Sequence, residues 1–226
     1  MNICLWAASV LVLSTLVASQ QSSVPVKPVP VEEEPHHHLV LKNDSVMVMR
    51  VKLLPGESTL FHTHLHDRVA VDLSDTTITR QKPGEPESAP EATKPGDVAV
   101  LESNGPYTHL VHNAGNAVFE VLDVELLHRP TKPSGPAAGK VEAENPSARV
   151  YKWTLAPGAT TAMHTHERPY LIISATPLML KMTDPEGKSL THEVKAGDVH
   201  WVDAKVTHSL ANEGTTVGQI VEIELK

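Results

Sequence analysis

The sequence predicts an all-β protein that contains two tandem barrels, and three observations predict it. First, a Pro-Gly block, a His-Thr-His pair and a Gly-Asp block each occur twice, in the same order. Second, short segments in both halves alternate apolar and polar residues with the two-residue period of strands. Third, the 18 Pro and 12 Gly residues favour many turns over long helices. Several short strands per half, with turns between them, indicate a barrel or a sandwich.

The internal repeat is clearest around the two His-Thr-His pairs, which align without a gap in the preceding segments. The offset between the halves changes only slightly from one block to the next, so the insertions fall in loops, as expected for a duplicated domain. The aligned positions are His62 with His164, His64 with His166, 94–98 with 195–199, His109 with His208, and Asn113 with Asn212.

The repeat and its flanking segments predict five consecutive parts of the chain. An apolar run from Leu5 to Val17 that ends in small residues is typical of a signal peptide, and it is too short for the roughly 20 residues of a membrane span. We therefore expect export to the periplasm or the extracellular space. The predicted parts are a signal peptide (1–19), a flexible Pro/Glu-rich spacer (20–38), barrel 1 (39–128), a linker (129–140) and barrel 2 (141–226).

Composition limits the partners of the chain. The formal net charge is −8 and no block of Lys and Arg stands out, which disfavours a nucleic acid or an anionic membrane surface as partner. Cys4 is the only cysteine and lies in the predicted signal peptide, so the mature chain would have no disulfide, thiolate ligand or cysteine nucleophile. A small-molecule ligand and a homo-oligomer remain compatible with these features. The run 36–38 of three histidines is interpreted as incidental and exposed.

The last strand of each half alternates apolar and acidic residues. Leu122 and Val124 lie on one face and Asp123 on the other, and the aligned segment at the end of the second half behaves in the same way. Glu120 and Gln219 share the parity of the apolar face. They either point into the barrel near a site, which would make Glu120 an additional metal ligand, or lie at a strand end in solvent.

Together the blocks resemble the two conserved motifs of the cupin superfamily: Pro-Gly followed by His-x-His, and then a Gly-Asp block with a third His and an Asn four residues beyond it. The resemblance covers 39–128 and 141–226 and implies two cupin barrels, which are double-stranded β-helix or jelly-roll folds. In the second half, Asp203 and Lys205 replace the usual Pro and Gly. In the first half, the interval from Gly96 to His109 is two residues longer, which makes the second copy the more regular one.

Each half supplies three histidines to a predicted metal site. Residues two apart on a strand point to the same face, so both members of a His-Thr-His pair can face the barrel interior, and the later histidine adds a third nitrogen. Three imidazoles leave coordination positions open for water or substrate. The predicted ligands are His62, His64 and His109 in the first half and His164, His166 and His208 in the second.

The chain departs from the family pattern at one ligand position. The family usually adds a Glu a few residues after the second His, where this sequence has Arg68 and Tyr170. The simplest prediction is therefore a three-His site without a carboxylate. In the first half His66 is an additional candidate ligand, and a register that uses His64, His66 and Asp67 also stays open.

The resemblance implies a divalent transition metal, namely Zn, Cu, Fe, Ni or Mn, with Cu and Zn favoured by intrinsic affinity. It also implies a metal-dependent oxidoreductase of the dioxygenase type, acting on a small organic substrate, with Tyr170 and Arg168 as candidate substrate contacts. Two alternatives stay open. One is a non-catalytic cupin that binds a metal or a small molecule, and the other is a structural barrel with a degenerate site. A shared fold does not decide between them.

Overall fold

The computed structural model describes residues 27–131 and 135–226, which form two β-barrels in tandem. The predicted signal peptide lies outside these residues. The all-β prediction is confirmed, because the described residues form strands, turns and loops apart from one 3-10 turn at Val31–Glu33. Within those two ranges, no helix is long and apolar enough to span a membrane.

Barrel 1 consists of two five-stranded sheets with the orders β1-β4-β9-β6-β7 and β2-β3-β10-β5-β8. Nearly all of its strand pairs are antiparallel, and the exception is the parallel pair of β1 and β4. Its strands are Val29–Pro30 (β1), His37–Lys42 (β2), Val46–Leu53 (β3), His62–His64 (β4), Asp67–Asp72 (β5), Thr76–Gln81 (β6), Glu91–Thr93 (β7), Val98–Leu101 (β8), Tyr107–Asn113 (β9) and Phe119–Leu126 (β10).

Barrel 2 repeats this plan with a five-stranded sheet, β11-β12-β19-β14-β17, and a four-stranded sheet, β13-β18-β15-β16. The matching order of the central strands follows from the internal repeat in the sequence. Its strands are Ala143–Glu144 (β11), Ala148–Leu155 (β12), His164–His166 (β13), Tyr170–Ser174 (β14), Leu178–Thr183 (β15), Ser189–Val194 (β16), Val199–Val202 (β17), Val206–Asn212 (β18) and Gly218–Leu225 (β19).

The repeated Pro-Gly dipeptide ends the first long strand of each barrel. Gly56 and Gly158 have φ values of 82° and 76°, in the left-handed region that a residue with a Cβ rarely adopts. A Pro followed by such a Gly forms a tight turn. The same turn therefore directs the chain in both barrels from the long strand β3 or β12 toward the short strand that carries His-Thr-His.

The largest apolar core lies between the two barrels. The apolar side chains of β10, including Leu122 and Val124, belong to the same buried cluster as Leu171, Val221 and Ile223 of barrel 2. The predicted alternation along β10 and β19 is thus present, but its apolar face covers the neighbouring barrel. The acidic face of each strand is consequently directed into the interior of its own barrel.

Glu120 and Gln219 share the parity of this interface face and lie away from both histidine clusters. The Glu120 carboxylate forms ion pairs with Arg50 at 2.7 Å and with Lys52 at 3.2 Å. Gln219 packs so closely against Gly96 of barrel 1 that a Cβ on that glycine would lie 2.2 Å from Gln219 Oε1. Glu120 therefore pairs with Arg50 and Lys52 outside the histidine clusters, which corrects the alternative that made it an additional metal ligand.

Residues 29–38 are part of barrel 1, which corrects the prediction of a flexible spacer in this range. Val29 of β1 lies opposite His62 of β4. Glu34 is 1% exposed and accepts hydrogen bonds from the backbone of the loop before β4 and from His37 Nδ1, the latter at 2.6 Å. A two-residue strand has no periodicity to detect; pairing with β4, the buried carboxylate and the packing of Val31 on Met47 and Met49 hold this segment in place.

Candidate metal centre

Four side chains converge in the interior of barrel 2. His164 and His166 share one face of β13, and His208 of β18 lies directly opposite His164. The Nε2 atoms of His164 and His208 are 2.9 Å apart. All three Nε2 atoms lie 3.1–3.3 Å from the carboxylate of Glu222, which projects inward from β19. The four side chains are buried, and one ligand atom of each lies within 4.8 Å of those of the others.

Glu222 is the candidate ligand that the sequence prediction missed. The prediction considered the position after the second histidine, which Tyr170 occupies, whereas the carboxylate comes from the last strand of the barrel. The signal was the alternation of acidic and apolar residues in β19. It becomes informative only when the apolar face is known to pack on barrel 1, because the acidic face must then point inward. The three-His prediction is corrected to three histidines and one glutamate.

Electrostatics favour an ionised carboxylate in this cluster. Burial by itself would raise the pKa of Glu222, but its contacts with the three histidines hold the pKa well below its usual range. Burial likewise acts to lower the pKa of His166, yet the carboxylates of Glu222 and Glu224 raise it to about 9. The interior of barrel 2 is therefore suited to positive charge.

The residues of this cluster fit a bound metal cation. His166 Nε2 and Glu222 Oε1 are buried and form no hydrogen bond with the described residues, although each lies 3.1–3.3 Å from a neighbouring polar atom. Buried polar atoms are nearly always hydrogen-bonded. Atoms that lack a partner and converge on one point are those expected of metal ligands. Three imidazoles and one carboxylate suit the divalent transition metals Zn, Cu, Fe, Ni and Mn.

Trp153 orients the carboxylate ligand. Its Nε1–H donates to Glu222 Oε2 at 2.6 Å, and its ring stacks on His164 with centroids 5.0 Å apart.

We expect Trp153→Phe, which keeps a ring but removes the donor, to lower the metal affinity of barrel 2 about 10–100-fold, as for other outer-shell partners. Competition with a chromogenic chelator measures this effect. In the control Trp201→Phe, the N–H group that is lost donates to Asp203, outside the cluster, so the metal affinity should not change. Equal affinities of the two variants would contradict the orienting role.

Tyr170 and Arg168, the candidate substrate contacts, lie at the start of β14 beside the cluster. Tyr170 is fully buried and stacks on His166 with centroids 4.0 Å apart and an interplanar angle of 19°. Its hydroxyl lies 3.4 Å from His208 Nδ1. The backbone of Arg168 hydrogen-bonds to Glu224. The structure thus places Tyr170 against two of the candidate ligands, where its ring forms a wall of the centre.

Barrel 1 brings its three predicted histidines together in the same way. Ligand atoms of His62, His64 and His109 lie within 4.8 Å of one another, and the Nε2 atoms of His64 and His109 are 3.0 Å apart. Burial is the main cause that lowers the pKa of His62 to about 3 and that of His64 to about 4, so these rings are neutral. Asp123, one methylene shorter, takes the place that Glu222 has in barrel 2.

Arg68 distinguishes the cluster of barrel 1 from that of barrel 2. In the strand register it pairs with Glu125, as Tyr170 pairs with Glu224. Its Nη1 atom lies 3.2 Å from His64 Nε2 and 3.4 Å from an oxygen of Asp123. Because a guanidinium is charged at all physiological pH values, it puts a positive charge beside a nitrogen that a metal would need.

The alternative ligand set of barrel 1, His64, His66 and Asp67, does not come together in the structure. Asp67 is buried outside the cluster, where its carboxylate accepts a hydrogen bond from the Ser147 hydroxyl at 2.6 Å. His66 lines two pockets, one of them together with His64 and Arg68, and is not part of the cluster of His62, His64 and His109. His37, by contrast, is not an incidental surface residue. Its side chain is 4% exposed, and its ring packs on His62 with centroids 4.6 Å apart.

Comparisons with known proteins agree with this architecture, although no family model matches the chain. A 90-residue segment is 32% identical to the beta-alanine degradation protein BauB of Pseudomonas aeruginosa and covers 40% of this chain and 94% of that protein. The structure of AerE from Microcystis aeruginosa superposes with a TM-score of 0.59 at 15% identity, over 88% of this chain and 98% of AerE. For a salicylate 1,2-dioxygenase from Pseudaminobacter salicylatoxidans, the TM-score is 0.53 at 12% identity, over 83% and 75% of the two chains. The protein belongs to the cupin superfamily and carries two cupin barrels in tandem.

Proposed function

We propose that the protein is a metal-dependent enzyme in which barrel 2 holds one divalent transition metal and acts on a small organic substrate in an oxygenase-type reaction. The observation that carries this proposal is the convergence of three Nε2 atoms and one carboxylate, with buried unpartnered atoms among them. Such an ion would polarise a bound substrate or bind O2. The metal ligands would be His164, His166, His208 and Glu222.

The surroundings of the centre keep its ligands in one orientation. Trp153 donates to Glu222, and Tyr151 donates to Glu224 at 2.7 Å. Glu224 in turn lies 3.8 Å from His166 Nδ1, the ring nitrogen that faces away from Glu222. Hydrogen-bonded outer residues of this kind fix the orientation of a metal ligand and raise its basicity. The Trp153 hydrogen bond thus holds Glu222, while Glu224, itself held by Tyr151, lies within ion-pair distance of His166.

Barrel 2 also contains a mainly apolar cavity of about 410 Å³, large enough for an organic substrate, whose lining does not include the four candidate ligands. Several of its lining residues belong to the apolar cluster that also contains Tyr170 and packs against Trp153, both of which contact the metal ligands. The shared fold with a salicylate 1,2-dioxygenase supports the reaction class. The apolar residues that line the cavity are Ile172, Leu180, Met182, Val194, Val202 and Ile220.

Metal analysis followed by O2 uptake tests this function. Elemental analysis of the purified chain should give one metal per chain, and His164→Ala should lose it while His62→Ala retains it. The loaded protein should then consume O2 with members of a panel of phenolic and diketone compounds. A chain without metal would contradict the whole proposal. One bound metal with no turnover of the panel would contradict the enzymatic part and favour a binding or storage protein.

Export is a separate part of the proposal and rests on the apolar N-terminal segment of the sequence. An exported chain that folds after translocation would take its metal from the pool outside the cytoplasm, where Zn and Cu have the higher intrinsic affinity for imidazole-rich sites. Fractionation of expressing cells, with elemental analysis of the exported protein, tests both points. Retention in the cytoplasm would contradict export, and full occupancy by Mn or Fe would contradict the metal preference.

A further inference from the structure

Barrel 1 contains a cavity that the proposed metal enzyme does not use. It has a volume of about 330 Å³, within the range of small-molecule sites. Arg68, His62 and His109 lie along its lining together with an apolar wall. All five residues of this wall belong to the buried apolar cluster inside barrel 1. The residues of the wall are Val51, Ile78, Val111, Phe119 and Val121.

Arg68 lines this cavity and has hydrogen-bond donors that no described residue accepts. Its side chain is 9% exposed, and its hydrogen bonds with the described residues involve Nη1 alone. A guanidinium has five N–H donors, so those on Nη2 and Nε have no protein acceptor in the described chain. A planar fork of N–H groups is the geometry that binds a carboxylate through two parallel hydrogen bonds.

The groups around Arg68 leave room for an anionic partner. Asp123 is its nearest carboxylate, and the 3.4 Å separation from Nη1 is long for a charge-assisted hydrogen bond. The other nearby carboxylate, Glu125, contacts His64 Nδ1 at 2.6 Å. His109 adds a buried Nδ1 atom that has no hydrogen-bond partner among the described residues. Arg68 and His109 thus give the cavity two polar groups that a ligand can engage.

The opposite end of the cavity carries three carboxylates, which disfavour a second carboxylate on the ligand. Asp72 lines this end together with Asp97, which is ion-paired with Lys152, and Glu91, which is ion-paired with Arg80. Asp72 follows Arg68 by four residues on β5, which corresponds to about 13 Å along a strand. A second carboxylate at the far end of a ligand would therefore meet like charges.

We propose that the cavity of barrel 1 binds a small organic monocarboxylate. The carboxylate forms a two-point contact with the Arg68 guanidinium, and the apolar part of the molecule packs against the wall that contains Phe119. Barrel 1 is then an organic-anion site in the position where barrel 2 has its metal centre. At the aligned positions, barrel 1 has Arg68 where barrel 2 has Tyr170, and Asp123 where barrel 2 has Glu222. These two differences are the structural basis for the different ligands of the two barrels.

Calorimetric titration of the full chain tests the proposal. The protein is first freed of metal with EDTA and dialysed, so that barrel 2 cannot bind a carboxylate through a metal. The probes are benzoate and hexanoate, the uncharged amide benzamide, and the dicarboxylate terephthalate. We expect at least one monocarboxylate to bind, and the amide and the dicarboxylate to bind at least about 10-fold more weakly, since a charged hydrogen-bond partner is lost or a like charge is added.

Substitutions at Arg68 locate the binding site. Arg68→Gln should weaken monocarboxylate binding about 10-fold or more, and Arg68→Lys, which keeps the charge but not the fork, should give an intermediate loss. Because Arg68→Gln leaves Asp123 buried without its cation, the double variant Arg68→Gln/Asp123→Asn provides a second test in a more balanced interior. Lys52→Gln is the matched control, since it removes a positive charge from the outer surface of barrel 1 and should leave affinity unchanged.

Three results would overturn the proposal. The first is that neither benzoate nor hexanoate binds the metal-free wild-type chain at millimolar concentration. The second is that benzamide binds as tightly as benzoate. The third is that a folded Arg68→Gln or double variant keeps the wild-type affinity. None of these results depends on a metal in barrel 2, so failure here is distinguishable from failure of the proposed enzymatic function.

Discussion

Glu222→Gln is expected to lower the affinity of barrel 2 for Zn²⁺ by more than about 100-fold, the upper end of the loss that outer-shell substitutions cause. The substitution keeps the size and shape of the side chain but removes the negative charge at the point where the three Nε2 atoms converge. It also converts one carboxylate oxygen into an amide nitrogen, which is not a metal ligand. Calorimetric titration of the metal-free chain with Zn²⁺ measures the change.

Asp123→Asn is the matched control for this prediction, because Asp123 holds the aligned position in barrel 1. There the positive charge of Arg68 lies next to the histidine cluster, so we expect a single tight Zn²⁺ site in both the wild type and Asp123→Asn. Tight binding of Zn²⁺ by Glu222→Gln would show that the three histidines suffice. Loss of the tight site in Asp123→Asn would place it in barrel 1.

Ile223→Ala is expected to destabilise the whole chain by about 2–5 kcal/mol, the usual cost of deleting a buried Ile side chain down to Ala. Ile223 is fully buried in the core that both barrels share. Urea denaturation measures the loss. In the control Val217→Ala, the side chain is 54% exposed, so a change below about 0.5 kcal/mol is expected. A similar change in both variants would contradict the structural role of the shared core.

The shared core also predicts that the two barrels unfold together. Trp153 and Trp201 both lie in barrel 2, so the tryptophan fluorescence of a chain expressed without residues 1–19, which include Trp6, follows that barrel. Far-UV circular dichroism follows the strands of both barrels. Coincident urea transitions by the two probes are the expected result, as for a cooperative two-state unit. Separated midpoints would show that each barrel is stable without the other.

The fold could be predicted from the sequence because its signals are local or repeated. Gly56 and Gly158 mark the same turn in both halves, and the two-residue alternation of β10 and β19 identifies these segments as strands. The grouping of His164, His166 and His208 follows from the pairing of β13 with β18, which the cupin-like spacing implied. These features depend on short-range geometry and on one recurring pattern.

The remaining features of the candidate site depend on contacts between distant parts of the chain. Glu222 faces the histidine cluster because the other face of β19 packs on barrel 1, and the sequence of barrel 2 alone does not contain this information. His37 reaches the cluster of barrel 1 because β2 pairs with β3 and Glu34 holds its ring, not through any local pattern. The sequence shows that Arg68 departs from the cupin pattern at a usual ligand position. Its contacts with His64 and Asp123, however, depend on the register of β5 and β10.

The two barrels bury apolar faces against each other, and this packing affects how far the sequences of the two halves can diverge. Each half provides the apolar cover of its neighbour, so selection for solubility retains barrel 1 whatever its interior binds. Polar residues inside that barrel, such as Arg68 and Asp123, are not held to the ligand set of barrel 2 and can change independently of it. A duplicated chain of this kind can therefore keep one chemistry in the second copy while the first acquires another.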